Sequence, residues 1–111
     1  MGKSPNDRLQ GTLDLLILRI LAGRGATHGY AITSHIQSIS EDVLRIEEGS
    51  LYPALHRMEQ EGWIRAEWGT TTNNRRARFY VITGEGRRQL AEEERNWEAL
   101  TTAVGRVLRF A

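Results

Sequence analysis

The chain has 111 residues, of which 40% are hydrophobic, and a formal net charge of +1 at pH 7. This length suits one domain with a modest core, and the absence of cysteine excludes a disulfide framework and thiolate chemistry. The longest apolar run, residues 15–18, is far shorter than the roughly 20 residues that cross a bilayer, and no signal segment opens the chain, so we expect a cytoplasmic protein without a membrane anchor.

Two amphipathic helices are predicted first. Ser4 and Pro5 start the first one, because serine caps free amides and proline's missing N–H costs nothing in the first turn. Its apolar residues cover more than one face, so we expect other elements on two of its sides, and Gly23 and Gly25 end it. Thr27 is predicted to cap the second helix. The apolar stripe of that helix consists of Tyr30, Ile32, Ile36 and Ile39.

A third helix and a β-hairpin follow. The helix is predicted to begin near Glu48, to tolerate Pro53 because that residue lies in the first turn, and to end at Gly62 in a left-handed cap. Residues 63–68 and 78–82 are rich in aromatic and β-branched side chains, which favours two strands. The polar segment between them predicts a hairpin with a long tip.

The last predicted helix starts at the cap Thr83, with Gly84 and Gly86 in a loosely held first turn. Apolar residues then recur every seven positions, a narrow stripe typical of a coiled coil. The stripe consists of Leu90, Trp97 and Val104, with Leu100 and Val107 between them. Such a helix is too far from the core to be covered by it, so we expect it to meet the same helix of a second copy.

Three helices followed by a hairpin predict a mainly α fold with a small β-hairpin, which belongs to the α+β class. This arrangement is typical of a winged helix-turn-helix, here joined to a C-terminal dimerisation helix. We assign residues 1–83 to the DNA-binding domain and residues 84–111 to the dimerisation helix, within one compact unit. In a winged helix the third helix enters the major groove of DNA, and the hairpin tip lies along the backbone or minor groove.

Positive charge is concentrated at the hairpin. Residues 63–88 contain six arginines and two glutamates, whereas residues 41–62 contain six acidic residues and two arginines. A surface that faces phosphates requires such a local concentration of positive charge. The net charge of the whole chain does not by itself indicate a nucleic-acid partner.

Two groups of polar side chains are candidates for DNA contact. Those near the start of the third helix suit base or phosphate contact; they are Ser50, Tyr52, Pro53, His56 and Arg57. Those of the hairpin tip suit backbone or minor-groove contact; they are Asn73, Asn74, Arg75 and Arg76. Each has a plainer interpretation, namely a solvated helix face, a polar turn or, for Tyr52, a core position. The joint occurrence of the two groups favours DNA binding.

Segments 11–18, 28–30, 48–55, 59–64 and 79–83, together with Trp68 and Gly86, resemble the PadR family of transcriptional regulators. The resemblance is to the short class of that family, which has a single C-terminal helix. It implies a dimeric DNA-binding protein, most often a repressor, that loses DNA affinity when a small aromatic or lipophilic molecule binds. It also implies contact roles for Ser50, Tyr52 and Pro53 on the recognition helix, Tyr30 at the start of the second helix, and Arg75, Arg76 and Arg78 in or beside the wing. The wing here holds no lysine, which leaves its base preference open.

Trp97 has two interpretations. In the first, it lines an effector pocket at the dimer interface, where two indole rings would enclose a flat aromatic compound. In the second, its ring only packs between the two subunits. The same candidate surface includes Leu16, Leu90, Leu100 and Val104.

Other functional classes receive little support. His28, His35 and His56 have no carboxylate cluster at ligand spacing beside them, so we expect no metal site, and we predict no cofactor. The chain has no phosphate-binding glycine loop, nucleophile elbow or HExxH pair, so an enzyme is not expected. A winged helix that makes only protein contacts is the remaining alternative.

Overall fold

The computed structural model describes the backbone of residues 5–111 and the side chains of residues 12–111, so the predicted cap Ser4 lies outside the described residues. The elements in chain order are α1 (Pro5–Arg24), β1 (Thr27–His28), α2 (Gly29–Ile39), α3 (Glu48–Gln60), β2 (Ile64–Thr70), β3 (Arg76–Ile82) and α4 (Gly84–Phe110). The strands form an antiparallel sheet in the order β1-β3-β2. The predicted mainly α fold, with three helices, a hairpin and a last helix, is confirmed. No helix in this part of the chain combines the length and apolarity that crossing a bilayer requires.

Helix α1 lies at the centre of the molecule and packs against α2, α3, α4 and β3. Ile17, Leu18 and Leu21 are excluded from solvent, which confirms the prediction that this helix is covered on more than one side. Gly25 ends the helix with a φ of 76°, and its N–H donates to the Leu21 carbonyl at 3.0 Å. Glycine takes this left-handed conformation without steric cost.

The start of α2 differs from its prediction. Thr27 is buried in β1 and donates its hydroxyl proton to the Gly25 carbonyl at 2.8 Å, so it is not the cap. His28 is the cap, and its Nδ1 accepts the Ala31 N–H at 3.4 Å. Both residues of β1 pair with β3. The prediction of a Thr27 cap was wrong because two residues are too few to show the alternation that identifies a strand.

Helix α3 is held by one apolar face and a glycine stop. Its buried residues are Leu51, Ala54, Leu55 and Met58. At its end Trp63 N–H donates to the Met58 carbonyl and Gly62 N–H to the Glu59 carbonyl, both at 3.0 Å. With a φ of 80° at Gly62, this is the Schellman pattern of a left-handed C-terminal cap. The predicted stop at Gly62 is confirmed.

The hairpin strands are longer, and the tip shorter, than predicted. Gly69 pairs with Ala77 and Thr70 with Arg76, so the tip is reduced to residues 71–75. Glycine and alanine are poor strand formers, so the sequence pattern assigned Gly69 and Ala77 to the tip and not to the strands. The ring of Phe79 covers Gly69, where a Cβ would lie 2.8 Å from the Phe79 Cδ2. The neighbouring aromatic ring thus fills the space that a side chain on residue 69 would otherwise occupy.

The first turns of α4 belong to the core. Thr83 caps the helix as predicted, since its Oγ1 accepts the Gly86 N–H at 3.0 Å. The predicted loose opening turn is wrong, because Gly86 is buried and a Cβ there would overlap the carbonyl oxygen of Trp63. Leu90 is also buried in the core, so it is not on the exposed stripe to which the sequence assigned it. Leu16 of α1 packs partly buried against that core.

Candidate nucleic-acid interface

An open groove of about 890 Å³ separates the start of α2 and the first turns of α3 from the hairpin. Its wall combines aromatic rings with guanidinium groups. The residues that matter most are Tyr30, Tyr52, Trp68, Arg75, Arg76 and Arg78. Three separate elements therefore bring most of the predicted contact residues to one surface, which we call the groove.

Tyr52 reaches the groove by packing on glycine. A Cβ on Gly29 would lie 2.7 Å from the Tyr52 Oη and 3.0 Å from its Cε1 and Cζ, so the ring rests on the backbone of α2. The side chain is still 45% exposed. The interpretation of Tyr52 as a core residue is therefore wrong: the hydroxyl end of its ring packs on α2, and the side chain borders the groove.

His28 ties the start of α2 to the hairpin. Besides capping the helix, its ring meets the Phe79 ring edge to face, with the centroids 5.4 Å apart. Tyr30 follows and extends into solvent. Within residues 12–111, no three His, Cys, Asp or Glu side chains gather where they could hold a metal ion.

On the hairpin, one face carries the groove residues. Trp68 is opposite Arg78 and Thr70 is opposite Arg76, so these side chains lie on the same face. The Arg76 guanidinium stands 5.0 Å from the centre of the Trp68 ring. Such a cation–π contact orients the guanidinium while leaving its donors free for an anion. The sequence marked Trp68 only through the family resemblance, because the face that it shares with Arg76 follows from the pairing of Thr70 with Arg76, which the predicted hairpin lacked.

Arg78 links the hairpin to α3. It donates to the Glu59 carboxylate at 3.0 Å, and its guanidinium is 5.8 Å from the centre of the Tyr80 ring. Burial raises the pKa of the Tyr80 phenol, which therefore remains a neutral hydroxyl at ordinary pH. Because Glu59 offsets its charge, Arg78 contributes less to the positive surface than Arg75 or Arg76.

Arg57 is not at the groove. Its Nη2 donates to Asp14 Oδ1 at 2.6 Å and its Nη1 to Asp14 Oδ2 at 3.0 Å. Asp14 is on α1, and its side chain is only 6% exposed. Burial raises the pKa of the Asp14 carboxyl against the lowering effect of Arg57, and the hydrogen bond to Asp14 raises the pKa of Arg57. The sequence prediction placed Arg57 among the DNA contacts because nothing local shows a partner 43 positions away.

The remaining candidates are exposed. Ser50, Pro53 and His56 lie on the outer side of α3, and Asn73 and Asn74 lie at the hairpin tip. His35 also borders the groove, although no contact role was predicted for it. Its pKa is lowered by desolvation and, to a lesser extent, by the charges of Arg24 and His28.

Comparison with known proteins gives concordant matches. The model of the transcriptional regulator PadR-like family matches residues 17–92. A transcriptional regulator of Mycobacterium tuberculosis is 35% identical over 83 residues, which are 75% of this chain and 74% of that protein.

Two solved structures have the same fold over nearly their whole length. A transcriptional regulator from Clostridium thermocellum superposes with a TM-score of 0.80 at 30% identity, covering 90% of this chain and 96% of the other. A PadR-like transcriptional regulator from Bacillus cereus gives a TM-score of 0.78 at 28% identity, covering 95% and 99% of the two chains.

Proposed function

Because this chain belongs to the PadR-like family of transcriptional regulators, we propose that it is a cytoplasmic repressor. In this proposal it binds an approximately palindromic DNA site as a homodimer, and a small aromatic or lipophilic molecule releases it. As a member of this family the chain is a regulator and not an enzyme.

The groove is the observation that carries DNA binding. Tyr52 on α3, Tyr30 on α2 and Arg76 on the hairpin border one open surface. A helix with a polar exposed side beside a basic hairpin is the arrangement with which winged helices hold a major groove and its adjoining backbone. In this proposal α3 is the recognition helix, Ser50, Tyr52 and His56 read bases or phosphates, and the arginines of the hairpin supply most of the affinity.

The C-terminal helix supports a homodimer. Beyond Leu90 its large apolar side chains are 46–81% exposed. They are Trp97, Leu100, Val104, Val107, Leu108 and Phe110. A second copy of the same helix would bury this stripe. Two recognition helices would then meet half-sites about one turn of DNA apart.

Trp97 is the candidate effector contact. Its indole is 46% exposed and lies on the same stripe. In a dimer two such rings would face a common space that suits a flat aromatic compound. Ordinary packing of the indole between the subunits remains the competing interpretation.

A salt titration of DNA binding tests the proposal. Fluorescence anisotropy would measure the affinity of wild-type protein and of Arg76→Ala for the DNA upstream of its own gene, from low to high salt. Each lost phosphate contact is expected to reduce the slope of log affinity against log salt by about 0.9. Tyr52→Ala should weaken binding and reduce discrimination against unrelated DNA.

Arg65→Ala is the matched control, because Arg65 lies on the same hairpin but is opposite Val81 on its other face. We expect it to bind like wild type. Equal behaviour of the Arg76 and Arg65 variants would contradict the assigned surface. Salt-independent binding, or no binding to any duplex, would favour the protein-contact alternative.

A further inference from the structure

The bridge between Asp14 and Arg57 is the one ion pair of the described residues with a nearly buried partner. Both guanidinium Nη atoms donate to separate oxygens of one carboxylate, at 2.6 and 3.0 Å. This two-point contact fixes direction as well as distance, which a single hydrogen bond or an apolar contact does not.

The bridge joins the elements whose relative orientation matters for DNA binding. Asp14 is on α1, which packs along α4, and Arg57 is on α3. Arg57 and Tyr52 are five positions apart and therefore point about 140° apart around the helix. A rotation of α3 by about 20° would move atoms at its surface by about 2 Å, enough to break a hydrogen bond to a base.

Stability alone does not explain the pair. The Nε of Arg57 is buried without a hydrogen-bond partner among the described residues, which is a cost. Replacement of a buried ion pair by apolar residues is often neutral or stabilising. Since Asp14 is nearly buried and Arg57 is 32% exposed, we expect two hydrocarbon side chains of similar volume to give comparable stability without fixing a direction.

We propose that Asp14 and Arg57 are positioning residues that set the rotation of α3 on α1, and thereby the angle at which Tyr52 and the exposed side of α3 meet DNA. This inference rests on the proposed DNA-binding function. It replaces the sequence-based assignment of Arg57 as a DNA contact.

The experiment separates orientation from stability. Asp14→Ala, Arg57→Ala and their double variant are compared with Asp14→Leu/Arg57→Met, using urea unfolding and the anisotropy assay. Each alanine variant should lose at least tenfold in DNA affinity, and the double alanine variant should lose no more than either single one. Their salt slopes should equal that of wild type, because no phosphate contact is removed. The Leu/Met pair should regain wild-type stability but remain at least tenfold weaker on DNA.

Two outcomes would overturn the proposal. Wild-type DNA affinity in the Leu/Met variant would make the bridge merely stabilising. A reduced salt slope in Arg57→Ala, with unchanged binding by Asp14→Ala, would make Arg57 a phosphate contact after all.

A second readout does not depend on DNA. Nuclear Overhauser contacts between the Tyr52 ring and the Gly29 Hα protons report the orientation of α3 against α2, which changes when α3 rotates on α1. They should weaken in the Leu/Met variant, and unchanged contacts would refute the positioning role. If the wild-type protein bound no DNA, the proposed function would fail. The Tyr52–Gly29 contacts would still test whether the ion pair sets the orientation of α3.

Discussion

The phenol ring of Tyr52 lies on the bare backbone of Gly29, so that α3 and the first turn of α2 form one surface. The two residues come from separate motifs, His28-Gly29-Tyr30 and Leu51-Tyr52-Pro53. The contact explains why glycine stands between a capping histidine and an exposed tyrosine: a methyl group at that position would occupy the space of the Tyr52 hydroxyl.

Gly29→Ala should therefore displace Tyr52. We expect a loss of about 1–3 kcal/mol in the free energy of unfolding, as for other overpacked sites, together with weaker DNA binding. Urea denaturation and anisotropy would measure the two effects. In a Tyr52→Ala background the same substitution should cost little, because the clashing ring is gone. An equal cost in both backgrounds would show that the contact is not the cause.

Gly86→Ala and Gly23→Ala should have opposite effects. Both glycines are helical and both substitutions improve helix propensity, but a Cβ at 86 would overlap the Trp63 carbonyl, whereas nothing lies within 4 Å of one at 23. We expect Gly86→Ala to destabilise by about 1–3 kcal/mol and Gly23→Ala to stabilise by about 0.5–1 kcal/mol. Thermal or urea unfolding would check this. Stabilisation by both would mean that α4 moves away from Trp63 without cost.

His35 should make the protein less stable in mild acid. Desolvation first, and then Arg24 and His28, lower its pKa below the ordinary value of about 6.5. The unfolded chain thus binds more protons than the native one between the lowered pKa and that value, and the free energy of unfolding falls as the pH drops through this window. His35→Gln should show a smaller fall between pH 7.5 and 5.5. Identical pH profiles for variant and wild type would exclude this contribution.

Val104→Glu should produce monomers. A carboxylate on the exposed apolar stripe of α4 would have to be buried unpaired in the proposed dimer, which is strongly unfavourable. Sedimentation should show the monomer mass at micromolar concentration, and DNA affinity should fall. Thr102→Glu, which is exposed about 160° further around the helix, should remain dimeric. A dimeric Val104→Glu, or a monomeric wild type, would refute an interface on this stripe.

Trp97→Ala should distinguish an effector contact from packing. With anilinonaphthalene sulfonate as an aromatic, lipophilic probe, we expect the wild-type DNA complex to dissociate as the probe is added. The variant should retain most of its DNA affinity but lose most of this response. Equal loss of both properties would indicate that Trp97 only packs between subunits.

Local signals made much of this fold predictable. Gly62 as a helix stop and Thr83 as a cap act on residues within five positions, so the sequence shows them directly. The features that were missed are contacts between distant segments. Thr27 belongs to a strand only because β3 lies beside it, Gly86 is tightly packed only because Trp63 approaches it, and Arg57 turns away from the groove only because Asp14 is across the core. The tyrosines and arginines of the groove were therefore predictable, but the position of His35 beside the groove and the separation of the groove from Arg57 were not.

Helix α4 runs without interruption for 27 residues, from the core to its exposed end, and is about 40 Å long. In the proposed dimer its length and crossing point would set the distance between the two DNA-binding domains. Sliding the crossing point of two such helices by one seven-residue repeat changes their overlap by about 10 Å, which corresponds to about three base pairs of DNA. Insertion of one seven-residue repeat between Trp97 and Val104 would then alter the preferred spacing of the half-sites and leave the bases recognised within each half-site unchanged.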